Sequence, residues 1–153
     1  MLWRWHADPR RLGRVRVMTH KVYLGLGSNL GNRESNINRA IQLIEERVGL
    51  VSRRSSLIET KPWGFESNHS FLNAVVLCHT EKTPREVLML TQRIERELGR
   101  KSKTTRQYAD RPIDIDILLY DDLTVDDPDL KIPHPLMRER DFVMIPLREI
   151  YNN

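Results

Sequence analysis

A single cysteine, Cys78, stands in a chain of 153 residues, so an intrachain disulfide framework and a cysteine-rich zinc site are both excluded. Cys78 sits in an apolar run and reads as a buried structural thiol. No apolar stretch approaches the ~18 residues that a membrane span needs. Internal repeats, low-complexity tracts, HExxH and Gly-Lys-Ser/Thr are missing as well. No Ser-His-Asp order and no Cys-His pair can be assembled convincingly. What is present is ordinary for a globular chain: 39% hydrophobic and 30% charged residues. The length fits one domain, which at this size buries roughly two thirds of its unfolded-chain surface and folds without staples.

A sequence pI near 9.5 raises the possibility of a nucleic-acid partner. The charge is not spread evenly. Residues 1–20 carry Arg4, Arg10, Arg11, Arg14 and Arg16 against Asp8, and residues 100–112 carry Arg100, Lys101, Lys103, Arg106 and Arg111 against Asp110. Each cluster is +4 and so is the whole chain, so the remainder is net −4. Two local clusters on an otherwise acidic chain argue against a general nucleic-acid coating. Residues 1–20 show no apolar periodicity and read as an extension, disordered or an over-long start with Met18 as the working first residue. Residues 21–153 read as the single domain.

Residues 21–28 alternate, with Val22, Leu24 and Leu26 on one face and Tyr23, Gly25 and Gly27 on the other, which predicts a strand with one face stripped of side chains. Ile37, Ala40, Ile41, Ile44 and Val48 predict a helix over 31–48 that Gly49 ends. Residues 50–59 read as a strand, 60–70 as a polar loop and 71–79 as a long strand buried on most of both faces. Thr83, Pro84 and Glu86 spell a capping box, and the helix it opens runs to a stop at Gly99. After the basic loop, 113–120 reads as a strand. A Pro-rich turn, a short helix near 135–140 and an amphipathic C-terminal piece follow. The order is β-α-β-β-α-β, an α+β fold of the ferredoxin-like, split βαβ kind. It has an antiparallel sheet, two helices on one face and the other face open.

On that open face the sharpest feature is Asp114 and Asp116. Two residues apart on a strand, they point the same way about 7 Å apart. Alone, such a pair is most often a solvated edge. Here it follows a loop with five cations, which is the setting for an anionic ligand bridged by Mg²⁺ to Arg and Lys. The run Gly25-Leu26-Gly27-Ser28-Asn29-Leu30-Gly31 lacks the spacing of a dinucleotide fingerprint. Gly25 and Gly27 instead clear room for a flat ligand or for neighbouring backbone. Asn73 is a polar residue inside an apolar strand and needs partners, either a neighbouring loop or a ligand. His134, between two prolines, is a fixed imidazole that by itself is as readily structural.

Five segments in order, G-L-G-S-N-L-G, F-L-N-A-V-V, Q-R-I-E-x-x-L-G-R, R-P-I-D-I-D-I-L-L-Y and I-P-H-P-L-M-x-x-R-x-F, resemble the 6-hydroxymethyl-7,8-dihydropterin pyrophosphokinases of folate biosynthesis. The resemblance covers residues 21–150. It implies a cytoplasmic, monomeric enzyme with no nucleic-acid or membrane partner. Such an enzyme would move the β,γ-diphosphate of ATP to the hydroxymethyl group of 6-hydroxymethyl-7,8-dihydropterin and release AMP. It implies two Mg²⁺ ions on Asp114 and Asp116, and a catalytic set of those acids with Arg100 and Arg111. By motif position Arg100, Arg111, His134 and Arg140 would meet ATP phosphates or ribose, and Glu95 the nucleotide. The pterin would lie against Asn73, Asp114, Phe142 and the backbone of Pro62, Trp63 and Gly64, with Phe142 and Trp63 able to stack on its ring. Where the family commonly has Arg-Trp-Gly-Pro-Arg-Thr before the acids, this chain has Gln107-Tyr108-Ala109-Asp110-Arg111-Pro112.

Two other readings have different signatures. A ferredoxin-like RNA-binding module needs paired aromatics on its central strands, where this chain offers acids and Asn73. A different two-metal nucleotidyl enzyme on a similar sheet would be separated by its nucleotide product.

Overall fold

The computed structural model describes residues 18–61, 69–99 and 110–151. The alternation at the start of the domain forms β1, His20–Ser28. Asn32 then caps α1, Arg33–Arg47, its side chain accepting the Ser35 N–H. β2, Gly49–Arg54, and β3, Ile58–Thr60, lead to the long β4, Phe71–Thr80. The predicted capping box is present at α2, Pro84–Glu97: Thr83 Oγ1 accepts the Glu86 N–H and the Glu86 carboxylate accepts the Thr83 N–H. Gly99 ends this helix region at φ +100°, the left-handed conformation that glycine adopts without strain. β5, Asp114–Tyr120, is followed by a small hairpin of β6, Val125–Asp127, and β7, Leu130–Ile132. A single 3₁₀ turn at Met137–Glu139 precedes α3, Asp141–Ile150.

The main sheet runs β2-β4-β1-β5 with β3 also on β4, and these pairings are antiparallel. With β2 and β3 taken as one bent strand, this is the α+β, ferredoxin-like arrangement. The alternation on β1 has the expected consequence. Val22, Leu24 and Leu26 join Ala74, Val76 and Cys78 of β4, Ile115 and Ile117 of β5, and the apolar stripes of α1 and α2 in the larger core. Among the described residues no helix is long and apolar enough to cross a membrane.

Four local expectations change. Gly49 does not stop α1 in a left-handed cap; Val48 is the cap, and Gly49 begins β2 opposite Thr80. A Cβ there would lie 2.0 Å from the His79 carbonyl oxygen, so glycine is required for close strand approach. The strand expected over 50–59 is broken at Ser55, where the Oγ accepts the Val75 N–H and the Ser55 N–H reaches the Val75 carbonyl. A side chain thus takes one place in the ladder and the strand bends. The Pro-rich turn contains the β6–β7 hairpin. Finally, the second sheet face is only partly open. α3 crosses it, packing Val143, Leu147 and Ile150 on Tyr23, Val75, Leu77 and Leu118. Among the described residues, the end nearest Gly27 is left uncovered by α3.

Candidate active site

The uncovered end is a cleft whose floor is backbone. Gly27 of β1 pairs with Asn73 of β4 on one side and Asp114 of β5 on the other; Gly25 lies between Val75 and Asp116. A Cβ on Gly27 would come 3.3 Å from Asn73 Oδ1 and 3.4 Å from the Phe71 ring. The two glycines therefore keep the sheet low between a carboxamide on one strand and two carboxylates on another. The walls are Thr60 at the end of β3, Lys61 after it, Phe71, Arg111, and Arg140 with Phe142 and Val143 at the start of α3.

Asp114 and Asp116 share the cleft face, both partly exposed, while Ile115 and Ile117 point into the helix-side core. Arg111 Nη2 lies 3.7 Å from Asp114 Oδ2, and the guanidinium sits 4.9 Å from the centre of the Phe71 ring. Arg140 is nearly buried at 8% exposure and its guanidinium lies 5.6 Å from the Phe142 ring centre. Two carboxylates are thus set among cations, an arrangement that suits a polyanion carrying a divalent ion. Among the described residues no cluster of three or more His, Cys, Asp and Glu side chains could hold a metal by itself. Two acids alone could hold Mg²⁺ only where substrate phosphates supply the remaining oxygens.

Asn73 is 4% exposed, lines the cleft and is also tied to the fold. Its Nδ2 donates to Thr60 Oγ1 at 2.9 Å and to the Ile58 carbonyl at 3.4 Å, so the amide pins β3 while its oxygen faces the gap over Gly27. The two alternatives for this residue, a structural bond and a ligand bond, use different atoms of one group.

A sequence model of the 7,8-dihydro-6-hydroxymethylpterin-pyrophosphokinase (HPPK) family matches residues 23–152. The chain belongs to this family. It is 52% identical over 131 residues to the 2-amino-4-hydroxy-6-hydroxymethyldihydropteridine pyrophosphokinase of Porphyromonas gingivalis, across 84% of this chain and 89% of that one. The enzyme of the same name from Aquifex aeolicus is 45% identical over 132 residues, covering 86% and 81%. Among solved structures, wild-type Plasmodium falciparum HPPK-DHPS with pterin and p-hydroxybenzoate superposes with a TM-score of 0.69 at 18% identity. That match spans 90% of this chain but 40% of the longer one, and at such identity it shows the fold alone.

Of the residues that the family motifs single out, Arg111, Asp114, Asp116, Asn73, Arg140 and Phe142 converge on the cleft. Arg100, Pro62, Trp63 and Gly64 lie outside the described residues. Glu95 and His134 do not line it. The buried Glu95 carboxylate on α2 accepts the Ile115 N–H at 2.7 Å, and His134 Nδ1 accepts the Leu136 N–H of its own turn at 3.4 Å. Reading by motif passed over Phe71, Thr60, Lys61 and Asn29. The first three border the cleft, and Asn29 braces Arg111 from behind. Asn29 and Phe71 had a visible signal, since both stand in segments that resemble the family, Asn29 also as a polar residue straight after an apolar strand.

Proposed function

We propose that this chain performs its family's reaction, transfer of the β,γ-diphosphate of ATP to the hydroxymethyl oxygen of 6-hydroxymethyl-7,8-dihydropterin with release of AMP, in the cleft over Gly25 and Gly27. The observation that carries the reading is the row Asn73, Gly27, Asp114 across three paired strands. A hydrogen-bonding amide, a flat floor and a carboxylate lie side by side at the right scale for a bicyclic ring. Asn73 Oδ1 would accept from the pterin edge, and Phe142 would cover the ring. Arg111 and Arg140 would hold phosphate oxygens in two-pronged contacts, each guanidinium oriented by an aromatic neighbour.

Asp114 and Asp116 would hold the two Mg²⁺ ions, which supply charge neutralisation for the phosphates of an in-line transfer. The chain's own part is to fix acceptor oxygen and phosphate in line and to keep the ring dry between α3 and the sheet. The central strands present glycines, acids and an amide, with Phe71 at the start of β4 rather than a pair of stacking aromatics on neighbouring strands, so no nucleic acid belongs in the reading. The same reading makes the protein a cytoplasmic monomer, with residues 21–153 acting as one unit. Glu95 and His134 would meet the nucleotide beyond this lining, and Glu95 also holds the backbone of Ile115.

Incubation with ATP, Mg²⁺ and the dihydropterin, followed by chromatography, tests the proposal. AMP and a pterin diphosphate should appear in equal amounts. Stoichiometric ADP would mark an ordinary kinase and overturn it.

A further inference from the structure

Asn29 follows β1 and is 2% exposed. Its backbone N–H donates to the Arg111 carbonyl at 3.1 Å, and its Oδ1 accepts the Arg111 N–H at 2.7 Å. Both backbone groups of Arg111 are thereby held by one residue 82 positions away. The Nδ2 of the same amide donates to Asp110 Oδ1 at 2.7 Å and to the His69 carbonyl at 3.2 Å. Asp110 Oδ2 closes the network on His69 Nδ1 at 3.0 Å. One carboxamide therefore binds the approach to β4 and the approach to β5 together.

We infer that Asn29 is the positioning residue for Arg111. The inference rests on the proposed function, in which that arginine meets ATP phosphates. Arg111 lies before β5 in a stretch without regular secondary structure, and Pro112 beside it has no N–H to give. Its backbone place therefore comes from outside the strand ladder. Asn29 supplies it, and the backbone in turn sets the guanidinium between Phe71 and Asp114. The chemistry demands an amide. An acceptor must meet the Arg111 N–H while donors on the same group meet a carboxylate and a carbonyl, which neither Asp nor Leu can provide.

A swap isolates the role. Asn29→Asp keeps an acceptor for Arg111 but sets a carboxylate against Asp110. Adding Asp110→Asn returns a donor to the pair. Asn29→Asp should lower kcat/KM for ATP by roughly ten- to a hundredfold, the range expected when buried groups lose their partners. The pterin KM should change less, and the double variant should recover most of the loss. Melting curves accompany each variant. Wild-type ATP parameters in Asn29→Asp, or a double variant that regains its melting temperature without its ATP parameters, would overturn the inference. A wild-type protein that forms no AMP would instead overturn the proposed function. Asn29 is then judged by hydrogen exchange: the Arg111 amide should be protected in wild type and exposed in Asn29→Ala, and equal protection in both defeats the positioning role.

Discussion

Glu95 reaches from α2 to the backbone of Ile115, and Ile115 stands between Asp114 and Asp116. A buried carboxylate at 3% exposure thus helps to hold the strand segment that presents both acids to the cleft. The contact links the helix-side core to the cleft on the far side of the sheet. Because the side chain meets the backbone between them, it fixes where the acids start.

Glu95→Ala should therefore lower stability by about 1–3 kcal/mol, the usual loss for a buried charged hydrogen bond, and shift the melting temperature by several degrees. Turnover should fall with it, since the acids lose part of their support, while the ATP KM moves less than kcat. Steady-state kinetics beside a thermal melt check this. An unchanged melting temperature with a raised ATP KM would leave Glu95 only the direct nucleotide contact that its motif suggests.

Asp114→Asn and Asp116→Asn should each reduce turnover by orders of magnitude in a folded protein. Their effects on the metal-free protein should be small. Asp114 faces Arg111 at 3.7 Å, so its neutralisation removes an attraction as well as a repulsion and should leave stability nearly level. Asp116→Asn likewise lowers the repulsion between the two acids, so the melting temperature should stay near that of wild type. Titration with Mg²⁺ should show a higher requirement in both variants. Near-normal turnover at saturating Mg²⁺ would remove the metal role.

Asn73→Ala should weaken the pterin by about ten- to a hundredfold and also lower stability, because Nδ2 holds Thr60 and Ile58 while Oδ1 borders the ligand space. Thr60→Val separates the two. It deletes the shorter of the two structural bonds and keeps the side-chain volume at the cleft wall, so it should lower the melting temperature slightly and leave Asn73 Oδ1 in place. Calorimetric titration of the pterin with a non-hydrolysable ATP analogue reads both variants. If Thr60→Val costs as much pterin affinity as Asn73→Ala, the amide acts only by pinning β3.

Much of the cleft was legible because strand alternation is a local rule. Gly25 and Gly27 on one face of β1, and Asp114 and Asp116 on one face of β5, follow from period two alone. The pairing that sets Asn73 and Asp114 on either side of Gly27 follows once the split βαβ order is assumed. What stayed hidden depends on distant partners. Gly49 reads as a helix stop until the His79 carbonyl is seen where its Cβ would lie. Ser55 looks like one more strand residue until it bonds Val75. The amphipathy of 141–150 announces a helix but not which sheet face it covers, and that choice decides how much of the face is left for a ligand. A register shift on β5 opposite Tyr23 and Leu24 turns both Leu118 and Leu119 toward α3, which no alternation rule foretells.

Cys78 gives a prediction with a defined pH direction. The thiol lies at 0% exposure in the helix-side core, and burial, with a smaller contribution from Glu45, pushes its pKa from 9.0 up to about 12. Between those values the unfolded chain releases a proton that the folded chain keeps, so the stability contributed is complete below pH 9.0 and is lost as pH rises toward 12. Two measurements follow. A thiol reagent at pH 8 should label the native protein far more slowly than the protein in denaturant, because the thiolate is both scarce and enclosed. The melting temperature should decline above pH 9 more steeply in wild type than in Cys78→Ala, which lacks the titrating group although it begins lower because of the cavity left behind. Lysines and tyrosines titrate in both proteins, so the difference in slope is the quantity to read. Parallel slopes, or rapid labelling of the native protein at pH 8, would mean that the core around Cys78 opens to solvent far below the cost of global unfolding.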